Sequence, residues 1–122
     1  MAAAPHLDGV RVLDFSTVGP GARCARILAD YGALVIKVGA PLRSSVQREP
    51  PFHAYGANRG MKRIRVDLKS PAGREAFLRL AEGADVILES FRPGVMQRLG
   101  VGFEDVRARN LWGRLKWALT RK

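Results

Sequence analysis

The sequence predicts an α/β protein built on a parallel sheet flanked by helices. Three observations lead there. The stretch 63–100 reads strand, helix, strand; the stretch 10–38 reads the same way; and each helical run is bounded by residues that start and stop helices. Strands joined by such a crossover run parallel, with a right-handed connection.

In order along the chain, residues 10–15 (VRVLDF) are rich in β-branched side chains and lead into Gly19-Pro20-Gly21, a strand followed by a tight turn. Cys24, Ile27, Leu28 and Tyr31 then recur at i, i+3, i+4, i+7, the stripe of a helix facing a core, and Gly32 is placed to end it. Residues 34–38 (LVIKV) form the second strand. Residues 39–63 have loop composition, with Pro41, Pro50, Pro51, Gly56 and Gly60, and a connection this long in a small domain is usually functional or mobile. The third strand is predicted at 64–68. Ser70 can accept from the free amides of a helix that Pro71 opens with its preset φ. Ala72, Ala76, Phe77, Leu80 and Ala81 form that helix's predicted inward face, and Gly83 suits a left-handed closing residue. Residues 86–88 are short and wholly apolar, as strands covered on both faces are. A turn at Arg92-Pro93-Gly94 precedes a helical run over 101–110 with Phe103 and Val106 on one face. Leu111, Trp112, Leu115 and Leu119 then give a weakly amphipathic, basic helical pattern of the kind found at membrane surfaces.

Length and composition bound the function classes. With 122 residues the chain is one domain, and 47% hydrophobic with 26% charged residues is ordinary for a soluble globular protein. No apolar run approaches the ~20 residues of a membrane span. The start MAAAPHLDG has neither a charged leader nor an apolar core, and Cys24 has no internal disulfide partner, so a cytoplasmic setting is expected. The net charge of +10 is unevenly spread. Residues 43–69 hold Arg43, Arg48, Arg59, Lys62, Arg63, Arg65 and Lys69 against Glu49 and Asp67, and residues 111–122 add Arg114, Lys116, Arg121 and Lys122 with no acid. Such clusters attract nucleic acid, anionic lipid or phosphorylated small molecules, or are merely a solvated face, and charge alone does not choose.

The turn at Gly19-Pro20-Gly21 invites a dinucleotide reading, but position 24 of the required G-x-G-x-x-G is Cys and no acid follows Val38, which argues against a nicotinamide site. His6 and His53 lack partners at metal-ligand spacing, so both read as exposed and no metal is expected.

VDLK at 66–69, the S-P-x-G-R helix start at 70–74, the A-D-V strand and FRPGV-x-x-RLG-x-G from Phe91 resemble the family III CoA-transferases of CaiB/BaiF type, which include α-methylacyl-CoA racemase. The resemblance covers residues 10 to about 110, is nearest to the racemase branch, and stops there. It implies a Rossmann-like domain over 1–110, the N-terminal part of the family fold, with 111–122 as a divergent basic tail. It also implies a fragment whose catalytic half is absent, so no catalytic residue is assigned. The chemistry expected of the family is transfer of CoA between acids or racemisation of acyl-CoA, in fatty acid metabolism, with coenzyme A or acyl-CoA as substrate. By the same resemblance Val66, Asp67, Leu68 and Lys69 form the adenine shelf, Ser90, Phe91 and Arg92 the next contact, and Arg98 a phosphate partner. The two arginines could instead be helix-end charges exposed to water. Ala40 stands where the racemase branch has an arginine. The expected partner is a CoA thioester, together with a homodimer mate or the remaining catalytic half. A second reading is a non-catalytic basic protein binding nucleic acid or an anionic membrane, and no sequence-specific nucleic-acid motif supports it.

Overall fold

The computed structural model describes residues 3–42, 58–110 and 115–119. Its elements are β1 (Arg11–Asp14), α1 (Gly19–Asp30), β2 (Leu34–Gly39), β3 (Lys62–Arg65), α2 (Pro71–Ala81), β4 (Val86–Glu89), α3 (Val95–Arg98), α4 (Phe103–Arg109) and β5 (Lys116–Leu119). The five strands form one sheet in the order β3-β2-β1-β4-β5, and every neighbouring pair is parallel. This is the α/β architecture the two β-α-β readings predict.

Apolar side chains fill both faces of the sheet. Leu13, Phe15, Val38 and Ile87 pack with Phe77, Ala81, Met96, Val101 and Val106 on the side of α2 and α4. Val12, Val35 and Leu88 pack with Ala25 and Ala33 on the side of α1. The alternation of Val12 and Leu13 between the two clusters is the period-2 rule of a strand covered on both faces.

Several local expectations are corrected. The inward side of α1 is Gly21, Ala22 and Ala25, whereas Ile27 and Tyr31 of the predicted stripe are 49% and 55% exposed. Small residues let the helix lie close on the sheet, and a helix in close contact turns its bulkier neighbours outward. In α2 the buried residues are Phe77 and Ala81, while Ala72 and Ala76 face solvent. Gly83 is not in the left-handed region, and a Cβ there would meet only the mobile end of the Arg11 side chain at 2.9 Å, so the predicted closing role does not hold. Gly32, by contrast, does end α1 at φ 99°. The third strand starts two residues and ends three residues earlier than expected. It stops at Arg65 because its pairing partner β2 stops at Gly39, and Val66 to Lys69 turn away, with Asp67 Oδ1 accepting from Lys69 N at 3.0 Å.

The tail differs in kind. Lys116–Leu119 is not a helix but the fifth strand, in register with Val86–Glu89, and Leu115 and Trp117 pack against the α2-side core. Alternating Leu115, Trp117 and Leu119 is as good a strand pattern as a helical one in so short a run, and the open edge of β4 decides between them. Leu111 and Trp112 lie outside the described residues, as does His53.

Candidate functional site

Parallel strands point all their carboxyl ends one way. From β1 the chain steps to one side for β2 and β3, then to the other for β4 and β5, so a crevice opens at the carboxyl ends of β1 and β4. Open α/β sheets bind ligands at this reversal point. A cavity of about 380 Å³ lies there. The segments that leave the strands line it: Phe15 after β1, Gly39 to Leu42 after β2, Val66 to Lys69 after β3, and Phe91 after β4, with Leu99 behind α3.

Its walls are set by packing deeper in the fold. Phe15 lies edge-on to Phe77, ring centroids 5.2 Å apart, and 5.9 Å from Phe91. Phe91 stays 36% exposed and gives the cavity an aromatic rim. The turn from Val66 to Lys69 is tied to the start of α2: Ser70 Oγ donates to Asp67 O at 2.9 Å and accepts from Gly73 N at 3.0 Å. The helix cap thus also fixes a wall of the cavity.

Of the residues singled out in sequence, the structure brings Val66, Asp67, Leu68, Lys69 and Phe91 together around the cavity. Ser90 is half-buried behind Phe91, and Arg92 and Arg98 are exposed on the turn and helix that follow, outside the lining. Ala40 lines the cavity, and Arg65 Nη1 donates to its carbonyl at 3.2 Å. Sequence reasoning missed Phe15, Val38, Gly39, Pro41, Leu42 and Leu99 as lining residues. The signal for those before residue 43 was their position at the carboxyl ends of β1 and β2, on one side of the reversal point between β1 and β4.

The acids nearby have structural partners. Asp14 is fully buried; its Oδ2 accepts from Lys37 Nζ at 2.9 Å and its Oδ1 from Ser16 N and Oγ at 2.8 and 2.5 Å. Burial, with the Asp14 charge adding to it, pushes the Cys24 thiol above its ordinary range. Asp85 accepts from Arg11 N at 2.9 Å at the opposite end of the sheet. Glu89 ends β4 at 6% exposure, and burial raises its carboxyl although Trp117 Nε1 donates to it at 2.8 Å.

The strand order and crevice define a Rossmann-like open α/β unit. The sequence pattern of CoA-transferase family III matches residues 7–111, and the chain belongs to that family. It is 45% identical over 116 residues to the probable fatty acyl-CoA transferase Rv3272 of Mycobacterium tuberculosis, a match covering 88% of this chain and 29% of the relative. It is 41% identical over 115 residues to the succinyl-CoA:mesaconate CoA-transferase of Haloarcula hispanica, covering 85% of this chain and 29% of that protein. The crystal structure of Rv3272 superposes with a TM-score of 0.82 at 42% identity, over 97% of this chain and 35% of that one. A CaiB/BaiF family protein from Brucella suis superposes at 0.78 with 28% identity, over 94% of this chain and 33% of that one. The chain therefore spans about 29% of the length of the two relatives it matches in sequence.

Proposed function

We propose that this unit binds the adenosine end of coenzyme A, free or as a thioester, in the cavity over the carboxyl ends of the strands. The observation that carries the reading is the make-up of that cavity: an apolar floor from Phe15, Val66, Leu68 and Leu99, an aromatic rim at Phe91, and Lys69 at its edge. An adenine needs a flat apolar slot with main-chain polar groups beside it, and phosphates need cations at the mouth. Arg92 and Arg98, exposed on the adjoining turn and helix, are the proposed phosphate partners, and Ser90 and Asp67 are further proposed contacts. With Ala40 in the lining, no cation comes from that position, which sets the expected affinity low.

Within the whole protein, the reaction is transfer of CoA between acids or the related racemisation of an acyl-CoA, and the relatives named as transferases support the first. Residues 1–110 supply the nucleotide-binding part, and the groups that act on the thioester lie outside the chain described. A second copy or further length of chain is the proposed partner. Family membership favours this reading over a basic module for nucleic acid or membrane. Calorimetric titration of the chain with CoA and with dephospho-CoA tests it. Saturable binding of CoA, weakened in Arg98→Ala and in Phe91→Ala, is expected; CoA binding equal in Arg98→Ala and the parent overturns the assignment of that arginine, and no binding at millimolar CoA overturns the site.

A further inference from the structure

Helix α1 carries apolar residues on two opposite sides. Gly21, Ala22 and Ala25 press against the sheet, while Pro20, Ile27 and Tyr31 stand exposed on the side that points away from it. Five large hydrophobic side chains stay exposed among the described residues. Leu42 and Phe91 border the apolar cavity, and the other three, Val18, Ile27 and Tyr31, gather on or beside this one helix. Pro20, Cys24, Ile27 and Tyr31 follow one another at spacings of four, three and four, the seam that two packed helices share. The two ends of the seam differ in shape. At its carboxyl end Tyr31 projects from a fixed backbone, whose N–H donates to Ile27 O at 3.1 Å and whose carbonyl accepts from Leu7 N at 3.0 Å. At its amino end lies an open hollow of about 690 Å³ walled by Val18, Pro20 and Arg23. At 1.5 Å per residue, roughly 16 Å of helix separates the two.

We propose that this side of α1 is a self-association face, its occupant being α1 of a second copy packed antiparallel across a two-fold axis. In such a pair a contact of residue i with residue j repeats as j with i. Running antiparallel, the seam sets Ile27 against Cys24 of the second copy and Tyr31 against its Pro20, so each tyrosine enters the other copy's hollow. A parallel pair would stack Tyr31 on Tyr31 and leave both hollows empty. Charge on the flank agrees. Arg23 and Asp30 lie on the same side of the seam, and the antiparallel pair brings each Arg23 toward the other copy's Asp30, whose side chain stays 44% exposed although Arg26 and Arg59 engage it. The Arg23 guanidinium at the hollow also suits the face of an incoming tyrosine ring. A single pair of 12-residue helices buries less than the ~1,200 Å² of a stable interface, so the dimer is weak. Because α1 covers the opposite face of the sheet from the apolar cavity, the pairing does not rest on the CoA reading.

Sedimentation velocity of the 122-residue chain over a concentration series, with enough salt to screen its net charge of +10, tests the proposal. A monomer to dimer equilibrium is expected, weakened roughly tenfold or more in Ile27→Glu, which puts a charge at the centre of the seam. Ile27 is exposed, so at low protein concentration the melting temperature of Ile27→Glu should match that of the parent. An isotope-filtered NOE experiment on mixed labelled and unlabelled parent chain needs no variant, and should connect the Tyr31 ring of one copy to Pro20 of the other. A dimer without that NOE overturns the antiparallel pairing. A chain that stays monomeric to millimolar concentration assigns the face to another occupant and overturns the proposal. Association that Ile27→Glu leaves unchanged, or growth past a dimer, places the contact on another surface and overturns it as well. The measurements contain no CoA, so their result stands apart from whether CoA binds.

Discussion

Gly73 occupies the third position of α2, and a Cβ there would lie 1.9 Å from the carbonyl oxygen of Asp67. An alanine in an open helix site gains about 1 kcal/mol over glycine through propensity. Here the overlap is with backbone, which cannot swing aside as a side chain can, and overpacking of that kind costs about 1 to 3 kcal/mol. Gly73→Ala is therefore expected to destabilise, with the sign opposite to the propensity rule, and to push the Asp67 turn into the cavity. Urea unfolding measures the first effect and CoA titration the second. Ser70→Ala, which removes the acceptor for Gly73 N, should cost about 1 kcal/mol in the same unfolding measurement.

β4 and β5 meet through a buried carboxylate, which makes their pairing sensitive to pH. Burial raises the Glu89 carboxyl, so the folded chain binds that proton more readily than the unfolded chain. The resulting contribution is fully present below the ordinary glutamate value of about 4.3 and is lost as pH rises through the raised folded value. Gln at this position keeps an acceptor for Trp117 Nε1 and does not ionise. The stability of Glu89→Gln relative to the parent should accordingly grow as pH is raised from 4 and then level off; an unfolding difference constant with pH would contradict this. Arg109 acts in the other direction between helices. It donates to Glu75 and Glu82 of the α2 segment, and the Glu75 carboxyl is held below its ordinary range by that hydrogen bond. Its contribution is lost as pH falls through the lowered value, and because both groups are solvent-facing, salt should diminish it.

The apolar side chains of Val95, Met96 and Leu99, next to Phe91, are largely closed off in the whole molecule. Met96 is 1% exposed, Val95 and Leu99 are half-buried, and Phe91 alone remains open. The tail helps to close them off, for Trp117 packs on the same core and lies edge-on to Phe103 at 5.8 Å. Removing residues 111–122 therefore strips β4 of a neighbour and uncovers Ile87 and Phe103. Light scattering should show association of the shortened chain and hydrophobic-dye binding well above that of the parent; a monomer with no dye binding would show that β5 covers nothing. Incubated with a 2-methylacyl-CoA in deuterated water, the 122-residue chain should incorporate no α-deuterium above a protein-free control, because among the described residues no His is hydrogen-bonded to an acid in the way that exchange requires.

Local chemistry was enough to give the sequence of elements. Ser70-Pro71 opens α2, Gly32 closes α1, and the apolar runs at 34–38 and 86–88 are strands because their cause lies within a few residues of chain. The same holds for part of the cavity, since Val66 to Lys69 and Phe91 were legible as motifs carried by a family resemblance. What needed the tertiary structure was anything set by a distant neighbour. Which side of α1 faces inward depends on how closely the helix lies on the sheet, where β3 stops depends on where β2 stops, and the tail becomes a strand because β4 offers it an open edge. The ion pair of Lys37 with Asp14 was likewise invisible until the strand register set the two side by side. Short-range capping and periodicity are written in adjacent residues, whereas face, register and edge pairing are decided by groups that folding alone brings together.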